Sequence, residues 1–108
     1  MSIFFIDGEK TVWNPGNSTA RLYLDMTRSL ESFLGVPSGL SKIIADEVHI
    51  DAGLMRVFVS KYERQDHQIV LTLAEGHYLV TCVLCSRMDI PVSLDSRRIK
   101  EHSAKMPI

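Results

Sequence analysis

The chain has 108 residues, of which 45% are hydrophobic and 23% are charged, and its formal net charge is −1. A chain of this length forms one domain, with a core large enough to fold without a metal or a disulfide. The near balance of acidic and basic residues excludes a broad basic surface, so we expect no nucleic-acid partner.

The first residues lack the features of a secretion signal. No basic segment precedes the apolar residues 3–6, and Asp7-Gly8 ends that run after four residues. No other segment approaches the roughly 18 apolar residues that cross a bilayer. We therefore expect a cytoplasmic protein with no membrane partner.

The N-terminal residues predict a short strand or a hairpin. Residues 3–6 are aromatic and β-branched, and Asp7-Gly8 is a turn signal. Thr11-Val12-Trp13 has the composition of a returning partner strand. The four turn-forming residues at positions 14–17 then end this unit.

An amphipathic helix is predicted from about residue 19 to residue 34, followed by a shorter helix. Gly35 suits the left-handed position after the first helix, and Tyr23 and Leu24 widen its predicted buried face. The predicted apolar stripe consists of Leu22, Met26, Leu30, Phe33 and Leu34. A short second helix is predicted to begin at Leu40 and to end near Asp46.

The second half of the chain predicts an antiparallel sheet. Four runs, at 47–51, 54–62, 67–74 and 77–85, are rich in β-branched and aromatic residues and are separated by short turns. Such spacing is typical of a meander. The predicted fold class is therefore α+β, with a four-stranded antiparallel meander packed against the amphipathic helix.

The C-terminal residues are less apolar than the rest. Ser93 is a candidate cap for a short helix over residues 94–103, whose strong apolar anchors are Leu94, Ile99 and Met106. So few anchors predict weak packing. We expect a single domain over residues 1–108, in which residues 87–108 form a weakly docked C-terminal segment.

The candidate protein-binding residues are Trp13, Arg56, Tyr62 and Tyr78. Tryptophan, tyrosine and arginine are enriched at interface hot spots, and neither 54–62 nor 77–85 has a fully polar strand face. A second sheet face would then need a cover, either from a partner or from the C-terminal segment. We predict that Tyr62→Ala or Arg56→Ala leaves folding nearly intact and weakens partner capture.

An alternative polar site consists of Glu47, His49 and Asp51. Alternation along a strand places these three side chains on one face. There they could bind a metal, or the carboxylates could tune the imidazole as a general base. The competing interpretation is the solvated face of an outer strand.

Other catalytic motifs are weak or missing. Cys82 and Cys85 have C-x-x-C spacing, but on a strand their thiols would point to opposite faces, so we interpret them as two buried cysteines. His67 and His77 are interpreted as surface or turn histidines. With no nucleophile elbow and no glycine-rich phosphate loop, we expect no enzyme activity, no cofactor and no metal.

Residues 30–37 and the strands predicted after them resemble the opening of the small type III secretion chaperones, which are helix–sheet homodimers. The chain departs from them after Gly76, where a strand is predicted in place of their second helix. The predicted function is a non-enzymatic intracellular protein-binding domain of the inhibitor or toxin-immunity type, whose partner is another protein such as a toxin or effector. The alternatives are a chaperone-like homodimer paired through the second sheet face, and a small enzyme or metal-binding protein.

Overall fold

The computed structural model describes residues 1–108 and contains a three-stranded mixed sheet and five helices. In chain order the elements are β1 (Phe4–Asp7), β2 (Lys10–Trp13), α1 (Asn17–Leu34), β3 (Glu47–His49), α2 (Ala52–Arg64), α3 (Gln68–Leu73), α4 (Glu75–Arg87) and α5 (Ser96–Ser103). One apolar core of 23 residues lies between the sheet and the helices.

The sheet has the order β2-β1-β3. β1 and β2 form the predicted N-terminal hairpin, in which Phe5 pairs with Trp13, and Gly8 takes a positive φ of 64° in the turn. β3 coincides with part of the strand predicted at 47–51, but it pairs in parallel with β1, placing Val48 beside Phe5. The sheet is therefore mixed.

The predicted four-stranded antiparallel meander is wrong, because three of its four runs are helices. The run at 54–62 forms most of α2, in which Met55, Phe58, Val59 and Tyr62 are buried. These four residues repeat at i, i+3, i+4 and i+7, which is the spacing of one helix face. The β-branched composition favoured a strand, and packing along this helical face outweighed it.

The run at 77–85 belongs to α4, which is covered by other elements on nearly every side. Residues 81–85 are all buried, so this part of the helix has no exposed side. A continuous apolar run of this kind fits a buried strand and a buried helix equally well, because neither leaves an alternation in the sequence. With 54–62 and 77–85 both helical, the second sheet face predicted for a homodimer does not exist.

The short helix predicted after Leu40 is also absent. The chain instead forms isolated bridges from Leu40 to Ile50 and from Ile44 to Glu47. Gly39 enters this region with a φ of +86°, and a Cβ on it would lie 2.4 Å from the Asp51 carbonyl oxygen. Only glycine fits such a close backbone approach.

The C-terminal segment is held more firmly than its few apolar anchors suggest. The Arg87 guanidinium donates hydrogen bonds to the Val12 carbonyl at 2.7 Å, to the Met106 carbonyl at 2.8 Å and to the Ser103 hydroxyl at 2.8 Å. Helix α5 begins two residues later than predicted, at Ser96, and its cap is a carboxylate. One half-buried arginine therefore ties this segment to β2.

Candidate protein-binding surface

Helix α1 carries apolar residues on more than one side. Its buried side consists of Ala20, Tyr23, Leu24, Thr27, Leu30 and Leu34. Part of the predicted stripe lies outside the core, since Leu22 is 62% exposed, Phe33 is 48% exposed and Met26 is half-buried. At about 100° per residue, these three side chains share one narrow arc beside the buried side. The apolar arc of α1 is thus wider than the part of the helix surface that the core covers.

Helix α3 adds further exposed apolar residues. None of its six residues is buried, and Ile69 and Leu73 are 65% and 77% exposed. These two residues are one helical turn apart, so they lie on the same side of α3. Phe33, Ile69 and Leu73 are therefore large apolar side chains that are exposed to water. Exposed apolar side chains of this size are typical of an interaction site when they form one patch.

A groove of about 300 Å³ lies between the exposed arc of α1 and helix α3. Its lining residues are Met26, Ser29, Leu30, Phe33, Val70, Leu73 and Ala74. Ser29 is the one polar residue among them. We call this feature the α1–α3 groove.

A second depression, of about 440 Å³, shares Phe33 with the α1–α3 groove. Lys61 and Arg64 of α2 line it and are exposed, and we call these two residues the basic rim. Asp66 is the one acidic residue in its lining, and its Oδ1 lies 3.5 Å from Nδ1 of His67. The His67 ring contacts Phe33 edge-on, with ring centroids 5.7 Å apart. One end of the apolar groove therefore meets a positively charged border.

The four predicted protein-binding residues differ in their burial. Trp13 and Tyr62 are buried in the core, where no partner reaches them. Tyr78 is half-buried, and its hydroxyl donates a hydrogen bond to Oε2 of Glu63 at 2.5 Å. Of the four, Arg56 alone is exposed, so they do not form a common contact surface.

Within the predicted polar site, Glu47 and His49 contact each other, whereas Asp51 has a different hydrogen-bond partner. Oε1 of Glu47 lies 2.9 Å from Nε2 of His49, and both side chains are exposed. Asp51 instead caps α2, because its Oδ1 accepts a hydrogen bond from the Leu54 amide at 3.0 Å. No three His, Cys, Asp or Glu side chains in the chain are grouped so as to hold a metal ion.

The two cysteines are free and buried on α4. Burial raises the pKa of Cys82 to about 11 and that of Cys85 to about 12, because a thiolate loses its hydration in the core. Both sulfurs are therefore thiols near neutral pH, which fits the interpretation of two buried apolar residues.

His77 is the residue whose surroundings differ most from the sequence interpretation, since it is fully buried and not at the surface. Its Nε2 lies 2.7 Å from the Thr27 hydroxyl, and its Nδ1 lies 3.2 Å from the Tyr62 hydroxyl. Thr27 donates its own proton to the Tyr23 carbonyl at 2.8 Å, so Nε2 of His77 carries the hydrogen and donates it to Thr27.

Nδ1 of His77 then accepts a hydrogen bond from the Tyr62 hydroxyl. The imidazole also stacks on the Tyr23 ring, with centroids 4.6 Å apart. Burial lowers the pKa of His77 to about 4, so the ring is neutral at pH 7. Both ring nitrogens are hydrogen-bonded inside the core, which indicates a structural role for this cluster.

These features define the molecule as a small α+β domain with a mixed three-stranded sheet, five helices and an exposed apolar groove. The chain belongs to DUF6086, a family of unknown function whose model matches residues 1–107. No curated protein and no solved structure matches the chain. None of its helices is long and apolar enough to cross a membrane.

Proposed function

We propose that this domain is a non-enzymatic intracellular protein of the inhibitor or toxin-immunity type, and that it binds its partner protein through the α1–α3 groove. The observation that carries the proposal is the exposure of Phe33 and Leu73, which line one apolar groove outside a core that encloses 23 residues. Isolated exposed apolar residues are common, whereas a contiguous apolar groove with a charged border is typical of protein interaction sites.

The lining of the groove favours a protein over a small molecule. Small-molecule sites are usually enclosed and contain a few polar groups that converge on the ligand. The α1–α3 groove is shallow, and Ser29 is its one polar residue. It offers apolar contact area along two helices, which suits another protein surface.

The basic rim favours a partner of different sequence over a second copy of this chain. In a symmetric pair, both copies would contribute the same surface to the interface. Two grooves facing each other would then bring two copies of Lys61 and Arg64 to it, with Asp66 as the one acidic lining residue on each side. A different protein can supply complementary charge.

The test compares two variants of the tagged chain in the cells that naturally express it. Phe33→Ser combined with Leu73→Ser makes the groove polar. Ile44→Ser is the matched control, since Ile44 is 63% exposed and does not line the groove. We expect one protein to co-purify in stoichiometric amount with the parent and the control, and to be absent from the double variant.

Circular dichroism checks that the double variant is folded. The proposal is overturned if the folded double variant retains the partner. It is also overturned if the parent purifies alone, or if light scattering shows that it pairs only with itself.

A further inference from the structure

We infer that the partner segment in the α1–α3 groove is an amphipathic helix with acidic residues at one end, an inference that rests on the proposed function. The groove is lined by side chains of α1, α3 and the adjoining Ala74, and the backbone groups within α1 are already paired along the helix. No sheet edge lies in its lining.

An extended segment would find few backbone partners in such a groove. Its N–H and C=O groups would lose water without gaining hydrogen bonds, which is costly. A helix pairs its own backbone groups and presents only side chains, so it fits a groove between helices. The occupant is therefore helical.

The dimensions of the exposed arc set the length of that helix. From Leu22 to Phe33, α1 advances by about 16 Å. A partner helix of about three turns spans this distance. Its apolar residues would lie at i, i+3 or i+4, and i+7, so that one side covers Met26, Phe33 and Leu73.

The positive charge at one end of the groove indicates that the partner helix carries acidic residues at that end. Lys61 and Arg64 are exposed beside Phe33, and neither forms an ion pair within the chain. Both side chains donate hydrogen bonds and carry a positive charge, so carboxylates are the side chains that complement them.

The experiment is a selection from a phage-displayed library of helices of about three turns, with random residues at their exposed positions. The purified full-length chain is the target. We expect the enriched helices to carry apolar residues at i, i+3 or i+4, and i+7, and Asp or Glu at one end.

The affinity of the best selected helix is then measured against four forms of the chain. We expect a loss of roughly tenfold or more with Phe33→Ser and with Lys61→Glu combined with Arg64→Glu. The parent and Ile44→Ser should bind equally well. Helices selected against the charge-reversed chain should carry Lys or Arg in place of the acids.

The inference is overturned if no helix is enriched, if the enriched helices show no acidic bias, or if charge reversal leaves the affinity unchanged. These outcomes are separable from a failure of the proposed function. A cellular partner that still depends on Phe33 and Leu73 would preserve the protein-binding function while refuting an acidic helix as its binding segment.

Discussion

Helices α3 and α4 are adjacent in the chain and both are rich in apolar residues, but their burial is opposite. In α4, residues 81–85 are all buried, whereas α3 buries none of its residues. α4 contacts α1, α2, α3, α5 and β2, while the principal neighbour of α3 is α4. Apolar composition therefore does not determine burial, which depends on the elements that pack around each helix.

This contrast divides the molecule into a region that supports folding and a region available to a partner. Substitutions around α4 should lower the free energy of unfolding, because they leave cavities or unpaired polar groups. Substitutions in the α1–α3 groove should mainly affect binding.

Tyr62→Ala should lower the free energy of unfolding by about 3–5 kcal/mol, because it removes a fully buried ring and the hydroxyl that contacts His77. Urea unfolding measures the change. Arg56→Ala is the matched control on the same helix, and it should change the free energy by no more than about 0.5 kcal/mol, since Arg56 is exposed. Equal stability of the two variants would contradict the buried position of Tyr62.

Acidification should destabilise the domain through His77. Its pKa is about 4 in the fold against 6.5 as the ordinary value, so the unfolded chain takes up the proton first. The stabilisation is complete above pH 6.5 and is lost as the pH falls from 6.5 through 4, by an amount of about 3 kcal/mol.

Two measurements check the role of His77. NMR of the folded protein should show the His77 ring titrating near pH 4. Urea unfolding should show that His77→Gln loses less stability than the parent between neutral and acidic pH. A His77 titration at the ordinary value of 6.5 would refute the prediction.

Arg87→Met should cost about 2–3 kcal/mol, because it leaves the Val12 and Met106 carbonyls without their charged donor. Hydrogen exchange in α5 should also become faster. Arg97→Met is the control, since Arg97 is exposed and its one ion pair, to Glu101, is 3.7 Å long. If both variants behave alike, Arg87 does not anchor the C-terminal segment.

Leu73→Ser should have the smallest effect, changing the free energy of unfolding by no more than about 0.5 kcal/mol, because the side chain is already 77% exposed. Partner capture should nevertheless weaken. Thermal unfolding and co-purification together test both parts. A large loss of stability would mean that the α1–α3 groove belongs to the core.

The hairpin and α1 were predictable because their signals are local. Asp7-Gly8 marks the turn, and Gly35 ends α1 with a φ of 73° and an amide bonded to the Glu31 carbonyl. The helical nature of α2 was also present in the sequence, in the i, i+3, i+4, i+7 spacing that begins at Met55. The β-branched Val57 and Val59 in the same run favour a strand and conceal it.

The candidate site was only partly predictable. The sequence identifies Leu22, Met26 and Phe33 as apolar positions of a helix, but its pattern predicts that they lie in the core. Trp13 and Tyr62 are predicted from their residue type to lie at a surface, and both lie in the core. Residue type indicates that a side chain prefers to be covered, and it does not indicate whether the same chain supplies the cover.

The sequence by itself determined the local elements: the hairpin turn, the presence of α1 and its glycine stop. Tertiary structure alone decided that β3 pairs in parallel with β1, that α4 is enclosed, and that one arc of α1 stays open beside α3. The physical reason is the range of the interactions. Turn and capping preferences act between residues close in the chain, whereas burial depends on contacts between segments distant in sequence.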